Sequence, residues 1–168
     1  MLIFTRVLPS APAGVSLGTL LLDHDQRRRG RLQVSLGDGS PVGVSVPRGT
    51  ILHDGSILAT EYGEWCVVKG QLEAVSVATT NDEQLFSRAA YHLGNRHVAL
   101  QFSGGSLIYL EAPFIDKLCI DLGLQVTREM RVFEPERLSH GGHTHSQSGQ
   151  DTGSHAAPLS LNAREHGT

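Results

Sequence analysis

The sequence lacks most of the features by which secreted, membrane-spanning and nucleic-acid-binding proteins are recognised. It has two cysteines, too few for a disulfide framework, and no apolar run near the roughly 20 residues that a membrane span needs. The amino terminus has no basic start followed by an apolar core, as a secretory signal would. A net charge of −3 gives no general attraction to nucleic acid or to an anionic membrane. We therefore expect a cytoplasmic protein that binds neither.

Motifs of catalysis are also missing. There is no glycine-rich phosphate loop, no Gly-x-Ser-x-Gly motif and no His-Glu-x-x-His motif. Asp116 and Asp121 share a predicted helix, where we expect both carboxylates to face solvent. No nucleophile has a candidate base beside it, so the sequence predicts a protein that is not an enzyme.

Residues 1–70 have the pattern of short strands. Apolar and polar residues alternate over 29–36 and again over 42–46, with a Gly-Asp-Gly turn between the two segments. Closely spaced strands with glycine and proline breaks are typical of a small barrel or sandwich. Because no helical period occurs here, we predict a small all-β domain over residues 1–70.

Residues 71–138 alternate between strand and helix patterns. Asn81 or Asp82 can cap a helix with an apolar stripe, which Gly94 would end. A strand over 97–102, a Gly-Gly hairpin turn and a second strand lead to a helix that begins at Pro113. With a strand at each end, the order is βαββαβ, that of a ferredoxin-like domain, and the whole chain is then α+β. Because a domain of this size has only a small core, we expect a partner subunit to contribute to its stability.

Residues 139–168 have no hydrophobic period. Glycine, serine, histidine and glutamine dominate, a composition that cannot offset the entropy of ordering, so we predict a disordered tail. Neutral imidazole is a strong ligand for nickel, copper and zinc, and we favour metal binding over a merely solubilising tail. The candidate ligands in the tail are His140, His143, His145 and His155.

One further histidine has a distinctive position. His97 follows Gly94 and opens the next predicted strand, so its imidazole should lie near the surface. Spacing alone favours a histidine that is hydrogen-bonded into a helix–strand corner. One imidazole binds metal weakly, but a two-fold dimer would bring two copies of His97 together. His92 would be rotated by about 140° on a continued helix and could not chelate the same ion.

The remaining polar candidates have simpler interpretations. We expect His24 and His53 to lie in solvated loops of the first domain. Four arginines between residues 27 and 31 form the only basic run. A solvated edge or a contact with an acidic protein is favoured over RNA, because no cluster of aromatics accompanies them. Cys66 and Cys119 have apolar surroundings and are expected to be small buried hydrophobes.

Several segments together resemble a known family. The block Tyr91-His92-Leu93-Gly94-Asn95-Arg96-His97-Val98, followed by Leu100-Gln101, resembles the signature of the urease accessory protein UreE, a family of nickel metallochaperones. Residues 27–32, 38–39, 42–43, 47–50 and 54–58 look like the amino-terminal domain of that family. Phe133-Glu134-Pro135-Glu136 looks like the segment with which the family's second domain ends, before a histidine-rich tail. The resemblance covers almost the whole chain.

The resemblance implies a nickel carrier without catalytic activity. Its amino-terminal domain would bind peptide partners, and its ferredoxin-like domain would form a homodimer. His97 of both subunits would hold one Ni²⁺ at the dimer axis, and we expect tail histidines and water to complete the site. Cu²⁺ or Zn²⁺ should also bind, because the affinity order does not single out nickel. The implied partners are the urease accessory GTPase and the urease apoprotein complex.

One departure from the family limits the number of expected sites. Some members carry a His-x-His pair before the second helix, where this chain has Leu110-Glu111-Ala112-Pro113. We therefore expect no second folded metal site there and interpret Glu111 as a surface charge. The alternative function is a urease-assembly adaptor whose histidines only buffer metal. An RNA-binding module is least favoured, since Phe102 and Tyr109 are the only aromatic candidates on the central strands.

Overall fold

The computed structural model of the chain describes residues 1–136. The first half contains β1 (Leu2–Phe4), β2 (Arg6–Leu8), β3 (Ser16–Leu22), α1 (His24–Arg27), β4 (Arg31–Ser35), β5 (Pro41–Ser45), β6 (Ile57–Ala59) and β7 (Trp65–Gly70). The second half contains β8 (Leu72–Thr79), α2 (Glu83–Gly94), β9 (Gln101–Ser103), β10 (Ser106–Leu110), α3 (Pro113–Leu122) and β11 (Gln125–Val132). None of these helices combines the length and apolar character that crossing a membrane requires.

The strands of the first half form two sheets. One has the order β1-β5-β4 and the other the order β2-β6-β7-β3, and each contains one parallel pair, β1 with β5 and β3 with β7. The chain passes from the first sheet to the second at Thr5, whose N–H donates to the carbonyl of Ala59. Fully buried side chains, among them Phe4, Leu20 and Leu58, fill the core. The predicted all-β character is confirmed, apart from α1.

The single helical turn α1 was not predicted. Asp23 caps it through a reciprocal pair of bonds: the Gln26 N–H donates to Asp23 Oδ1, and the Asp23 N–H donates to Gln26 Oε1. Four residues are too few to show a helical period in the sequence. His24 lies in this turn, so the prediction that it lies in a solvated loop is wrong. Arg27 is buried, so the prediction of a solvated edge is wrong for this member of the arginine run.

The second half is the ferredoxin-like domain that the sequence predicts. Its sheet has the order β11-β8-β10-β9 with all pairs antiparallel. α2 and α3 pack on one face through a buried cluster that includes Ala89, Leu93, Leu107 and Cys119. The α+β class and the βαββαβ order are therefore confirmed. The division of the chain at residues 70 and 138 stays a prediction.

The two halves meet closely where the last strand ends. A methyl group placed on Gly70 would lie 2.3 Å from Val132 Cγ1, so only glycine lets β7 pass this side chain without a shift. The ring of Phe133 is fully buried and lies edge-on to the ring of His24, with their centroids 5.0 Å apart. Glu134 accepts from Arg27 and from the Asp54 N–H, each at 2.9 Å. The segment after β11 is therefore fixed by residues of both halves.

Candidate metal-binding site

The helix that leads to His97 is well defined at its start. Asp82 is the N-cap, and its Oδ1 accepts from the N–H groups of Gln84 and Leu85. Along α2 the apolar residues Leu85, Ala89 and Leu93 face the core, as the stripe in the sequence predicts. This packing fixes the rotation of the helix and therefore the position at which the chain leaves it.

α2 ends at Gly94, as predicted, and the turn that follows it is closed at His97. The His97 N–H donates to the Gly94 carbonyl at 2.9 Å, and the Val98 N–H donates to the Leu93 carbonyl at 3.1 Å. This pair of bonds is the Schellman motif, and Val98 packs against the apolar cluster that contains Leu93, as is usual for this motif. His97 therefore occupies the position after the helix where glycine is most common. The strand predicted over 97–102 is wrong at its start, because β9 begins at Gln101.

The backbone of His97 is left-handed. Its φ is +56°, and within residues 1–136 it is the one residue other than glycine with a positive φ. This conformation costs an L-residue about 1–2 kcal/mol relative to a relaxed one, although histidine adopts it more often than most. Strain of this kind is often kept at functional positions. It points to a role for the imidazole, since glycine would close the helix at lower cost.

The imidazole of His97 is exposed, as predicted. His92 lies on the last turn of α2, with its ring 5.6 Å from that of Tyr91 and its carbonyl accepting from the Arg96 guanidinium at 3.0 Å. Among residues 1–136, no three histidine, cysteine, aspartate or glutamate side chains are grouped as a metal site would require. Tight binding at His97 would therefore need ligands from the rest of the chain or from a second subunit.

The predicted tail ligands His140, His143, His145 and His155 lie outside the described residues. The described chain ends against the segment that follows His97. The Glu136 N–H donates to the Leu100 carbonyl at 2.7 Å, and the Glu134 N–H donates to Gln101 Oε1 at 3.0 Å. Glu136 is thus held next to Leu100, three residues beyond His97.

The carboxylates on and before α3 are structural. Glu111 forms an ion pair with Arg128 at 2.9 Å. Asp116 is buried, in contrast to the predicted solvent-facing position, and it accepts from the Tyr109 hydroxyl at 3.1 Å and from Arg128 at 2.9 Å. Burial opposes ionisation, but hydrogen bonds to the carboxylate and the charge of Arg128 outweigh it and lower the pKa of Asp116. Asp121 is exposed, as predicted, and pairs with Lys117.

The two cysteines are not candidate ligands. Both are buried and unbridged, which confirms their interpretation as small hydrophobes. Burial raises the pKa of the Cys66 thiol to about 12 and also raises the pKa of Cys119. Metal ions bind the thiolate, so neither residue offers a ligand in the folded protein.

The other two histidines of residues 1–136, His24 and His53, lie at the junction of the two halves. The His24 N–H donates to Glu73 Oε2 at 2.8 Å. His53 is exposed in a loop, as predicted, and its Nδ1 lies 3.7 Å from Glu134 Oε1. These contacts join the halves and do not involve the segment around His97.

Sequence patterns missed the backbone role of His97. The one available signal was the spacing of Leu93 and Val98, an apolar pair five residues apart on either side of a polar Gly-Asn-Arg-His segment. That spacing fits the contact that accompanies a Schellman motif with His97 at its left-handed position. Gly94 is the last residue of α2, but the left-handed position that glycine usually takes belongs to His97.

The architecture defines a two-domain α+β protein in which an exposed histidine closes the first helix of a ferredoxin-like domain. Comparison with known families agrees with both halves. The model of the UreE urease accessory protein N-terminal domain matches residues 4–69, and that of the C-terminal domain matches residues 73–166. The chain belongs to the UreE family of urease accessory proteins, which are not enzymes.

Individual relatives match over most of their length. The urease accessory protein UreE of Shewanella halifaxensis is 42% identical over 147 residues, which are 86% of this chain and 83% of the relative. That of Vibrio parahaemolyticus is 42% identical over 134 residues, 80% of this chain and 82% of the relative. That of Proteus mirabilis is 39% identical over 124 residues, 74% and 77% respectively. The similarity therefore extends across both domains.

Proposed function

We propose that the protein carries Ni²⁺ to urease during assembly of the urease metal centre. Membership of the urease accessory family supports a role in urease maturation. The observation that carries the nickel proposal is the exposed imidazole of His97, held in a left-handed turn where glycine would cost less. Nickel is cargo in this proposal, because the chain would release the ion rather than use it in a reaction.

A shared site would overcome the weakness of a single imidazole. In a two-fold homodimer formed by the ferredoxin-like domains, His97 of each subunit would contribute to one ion. Exposed apolar side chains on that domain support such contact, since large unpartnered apolar groups are typical of interaction surfaces. They include Tyr91, Phe102, Phe114 and Ile120.

The tail histidines would complete the ligand set. His140 is four residues beyond Glu136, and four residues of extended chain span at most about 13–14 Å. Because the Glu136 N–H donates to the Leu100 carbonyl, the described chain ends close in space to the segment that follows His97. We therefore propose that His140, His143, His145 or His155 joins His97 around the ion, with water in the remaining positions.

An open ligand set of this kind suits transfer. A carrier must release its ion, and flexible ligands bind less tightly than a preformed cage because they lose entropy on binding. Protons compete with metal for imidazole, so acid should weaken binding. Cu²⁺ and Zn²⁺ should bind as well, and selection of nickel would then depend on metal supply and on partners in the cytoplasm. We propose that those partners are the urease accessory GTPase and the urease apoprotein complex.

The proposal is tested with Ni²⁺ titration calorimetry and native mass measurement of the full chain. His97→Ala should abolish the tightest binding step and the shared ion of the dimer. His92→Ala is the matched control, because it removes a neighbouring imidazole that the proposal does not use. Replacing His140, His143, His145 and His155 together by serine should weaken binding while leaving one ion per dimer.

Unchanged stoichiometry and affinity in both the His97 variant and the tail variant would refute nickel carriage through these residues. Urease activation in cells separates the proposal from the adaptor alternative. The carrier predicts poor activation by His97→Ala at low nickel supply, with normal assembly of the partner complex. Full activation together with metal-independent assembly would favour the adaptor.

A further inference from the structure

Residues 133–136, which we call the strap, are held by the first domain. The Arg27 guanidinium, on α1, donates to Glu134 Oε1 at 2.9 Å and to the Phe133 carbonyl at 2.6 Å. Glu134 Oε1 also accepts from the Asp54 N–H at 2.9 Å. Two of the hydrogen bonds that hold the strap to the first domain therefore come from one side chain.

The same strap holds the segment that follows His97. The Glu136 N–H donates to the Leu100 carbonyl at 2.7 Å. The Glu134 N–H donates to Gln101 Oε1 at 3.0 Å, at the point where β9 begins. The strap therefore connects the first domain to the backbone that leads away from the candidate metal ligand.

The ring of Phe133 fixes the strap on the second domain. It is fully buried and forms a cluster with Val75 and Ile108, and Ala99 packs against this cluster. The neighbouring residue Leu107 belongs to the cluster under α2 and α3, so the ring lies on the opposite face of the sheet. The strap thus supports the segment between the left-handed turn and β9 by packing as well as by hydrogen bonds.

The strap has little slack. It begins after Val132 on β11 and is bonded to Leu100 just before β9, and these two strands are the opposite edges of the four-stranded sheet. Three strand spacings amount to about 14 Å. Four residues of extended chain span at most about 13–14 Å. A displacement at the first domain is therefore transmitted to Leu100 rather than absorbed by the strap.

Stability alone does not account for Arg27. Its side chain is 3% exposed, and its Nε is buried without a hydrogen-bond partner among residues 1–136. A buried donor without a partner is destabilising, and apolar replacements of buried ion pairs are often neutral or stabilising. A guanidinium supplies direction that an apolar side chain does not, because its planar fork of donors fixes two acceptors at once. These properties suit positioning of the strap better than stabilisation of the fold.

We propose that Arg27 is a positioning residue for nickel binding, because through the strap it fixes the segment that follows His97. This inference rests on the proposed nickel function and extends it, since it gives the first domain a part in binding an ion that it does not touch. Without Arg27 the segment around Leu100 and Gln101 would be less ordered. Binding of Ni²⁺ would then have to order it, which weakens affinity.

The test measures Ni²⁺ affinity of full-length variants by titration calorimetry. Arg27→Met removes both donors and should weaken the tightest nickel step at least about fivefold, the lower end of coupling between separated sites. Gln101→Leu removes the acceptor of the Glu134 N–H and should act in the same direction. Arg27→Lys keeps the charge but not the fork, so its affinity should lie between those of Arg27→Met and the unmodified chain.

The free energy of unfolding separates positioning from a purely structural role. Arg27→Lys buries an ammonium with incomplete partners, so it should be no more stable than Arg27→Met although it binds nickel more tightly. Asp116→Asn is the matched control, because it lowers stability without touching the strap. It should change nickel affinity less than about twofold, as expected for independent sites. Nickel affinity that simply follows stability would overturn the proposal, as would unchanged affinity in Arg27→Met and Gln101→Leu.

Thermodynamic linkage gives a second measurement, on the unmodified chain. If the strap contacts raise nickel affinity, bound Ni²⁺ must stabilise those contacts by the same factor. Saturating Ni²⁺ should therefore slow hydrogen exchange of the Glu134 and Glu136 amides, measured by mass spectrometry on a peptide that covers the strap. The slowing should be lost in His97→Ala. Exchange that Ni²⁺ leaves unchanged in the unmodified chain would contradict the proposal.

Failure of the nickel proposal and failure of this inference are distinguishable. If His97→Ala binds Ni²⁺ as the unmodified chain does, the nickel proposal fails. In the absence of metal, Arg27→Met should speed hydrogen exchange of residues 98–101 under conditions where Asp116→Asn leaves it unchanged. Unchanged exchange of residues 98–101 in Arg27→Met would show that Arg27 does not hold this segment, and it would overturn the inference without affecting the nickel proposal.

Discussion

Arg27 Nη1 lies 2.9 Å from Glu134 Oε1, although 107 residues separate the two in sequence. The Arg27 side chain is 3% exposed, and that of Glu134 is 36% exposed. Nη2 of Arg27 also donates to the Phe133 carbonyl at 2.6 Å. One buried guanidinium therefore binds the segment from which the histidine-containing tail continues, and it does so from the first domain.

This pair predicts an asymmetry between two substitutions. Glu134→Ala leaves the Arg27 charge buried without its carboxylate and should lower the free energy of unfolding by about 3 kcal/mol. Arg27→Met removes the buried charge and should cost less, because Glu134 can still reach water. Urea denaturation followed by circular dichroism measures both. The control is Arg29→Met, whose exposed pair with Asp25 should be worth at most about 1 kcal/mol. Equal losses for all three would contradict the assignment.

The left-handed turn at His97 predicts that a substitution there can raise the stability of the fold and still abolish tight metal binding. His97→Gly should raise the free energy of unfolding by about 1 kcal/mol, because glycine adopts a positive φ without the steric cost. His97→Ala should leave it unchanged or lower it. Both variants should lose the tight nickel step in calorimetry. A glycine variant less stable than the alanine variant would show that the turn is not strained.

The close approach of Gly70 and Val132 predicts that a substitution at one position partly compensates for a substitution at the other. Gly70→Ala places a methyl group 2.3 Å from Val132 Cγ1 and should cost about 1–3 kcal/mol through overpacking. Val132→Ala removes that clash, so the double variant should be more stable than the sum of the single losses predicts. A thermodynamic cycle from denaturation measurements gives the coupling. Additive losses would mean that β7 and β11 do not pack as described.

The carboxylate of Asp116 predicts a pH-dependent contribution to stability. Its pKa in the folded protein is lowered, so it binds its proton less readily when folded than when unfolded. The stabilisation is therefore complete above the unfolded value, about 3.9, and is lost as pH falls through the folded value. Asp116→Asn should cost about 1–3 kcal/mol near pH 7 and progressively less below pH 4. Denaturation at pH 3–8 tests this, and Asp121→Asn, at an exposed position on the same helix, should show little change at any pH.

The thiols should be inert in the folded protein. Cys66 is fully buried and its pKa is raised to about 12, and Cys119 is also fully buried. Ellman's reagent should therefore label neither at neutral pH until urea unfolds the chain. Rapid labelling of the native protein would show that one of these positions opens.

Local sequence signals were sufficient to predict the helix ends that depend on the capping residue itself. α3 begins at Pro113 as expected, and it ends at the C-cap Gly123, which has a left-handed conformation. Asp82 likewise caps α2 as expected. Such features depend on neighbours within one turn, so a single sequence contains the information.

Long-range contacts explain what the sequence could not indicate. The side chain of Arg27 is buried by residues 133 and 134, and that of Asp116 by Tyr109 and Arg128, so neither burial is visible in a local pattern. The opening strands β1–β3 were not assigned individually, since two of them have only three residues. For the candidate site, the pattern predicted the exposure of His97, and metal binding there stays a prediction. The left-handed turn at His97 has no such signal, because glycine is the residue expected there.

The burial of Phe133 beneath His24 has a practical consequence for dissection of the protein. A fragment that starts at Gln71 would remove the His24 ring and the Arg27 guanidinium from the aromatic side chain that they contact. Truncation would therefore expose the apolar Phe133 side chain to water. Aggregation or self-association of the fragment would then be an effect of the truncation and not evidence of a natural assembly.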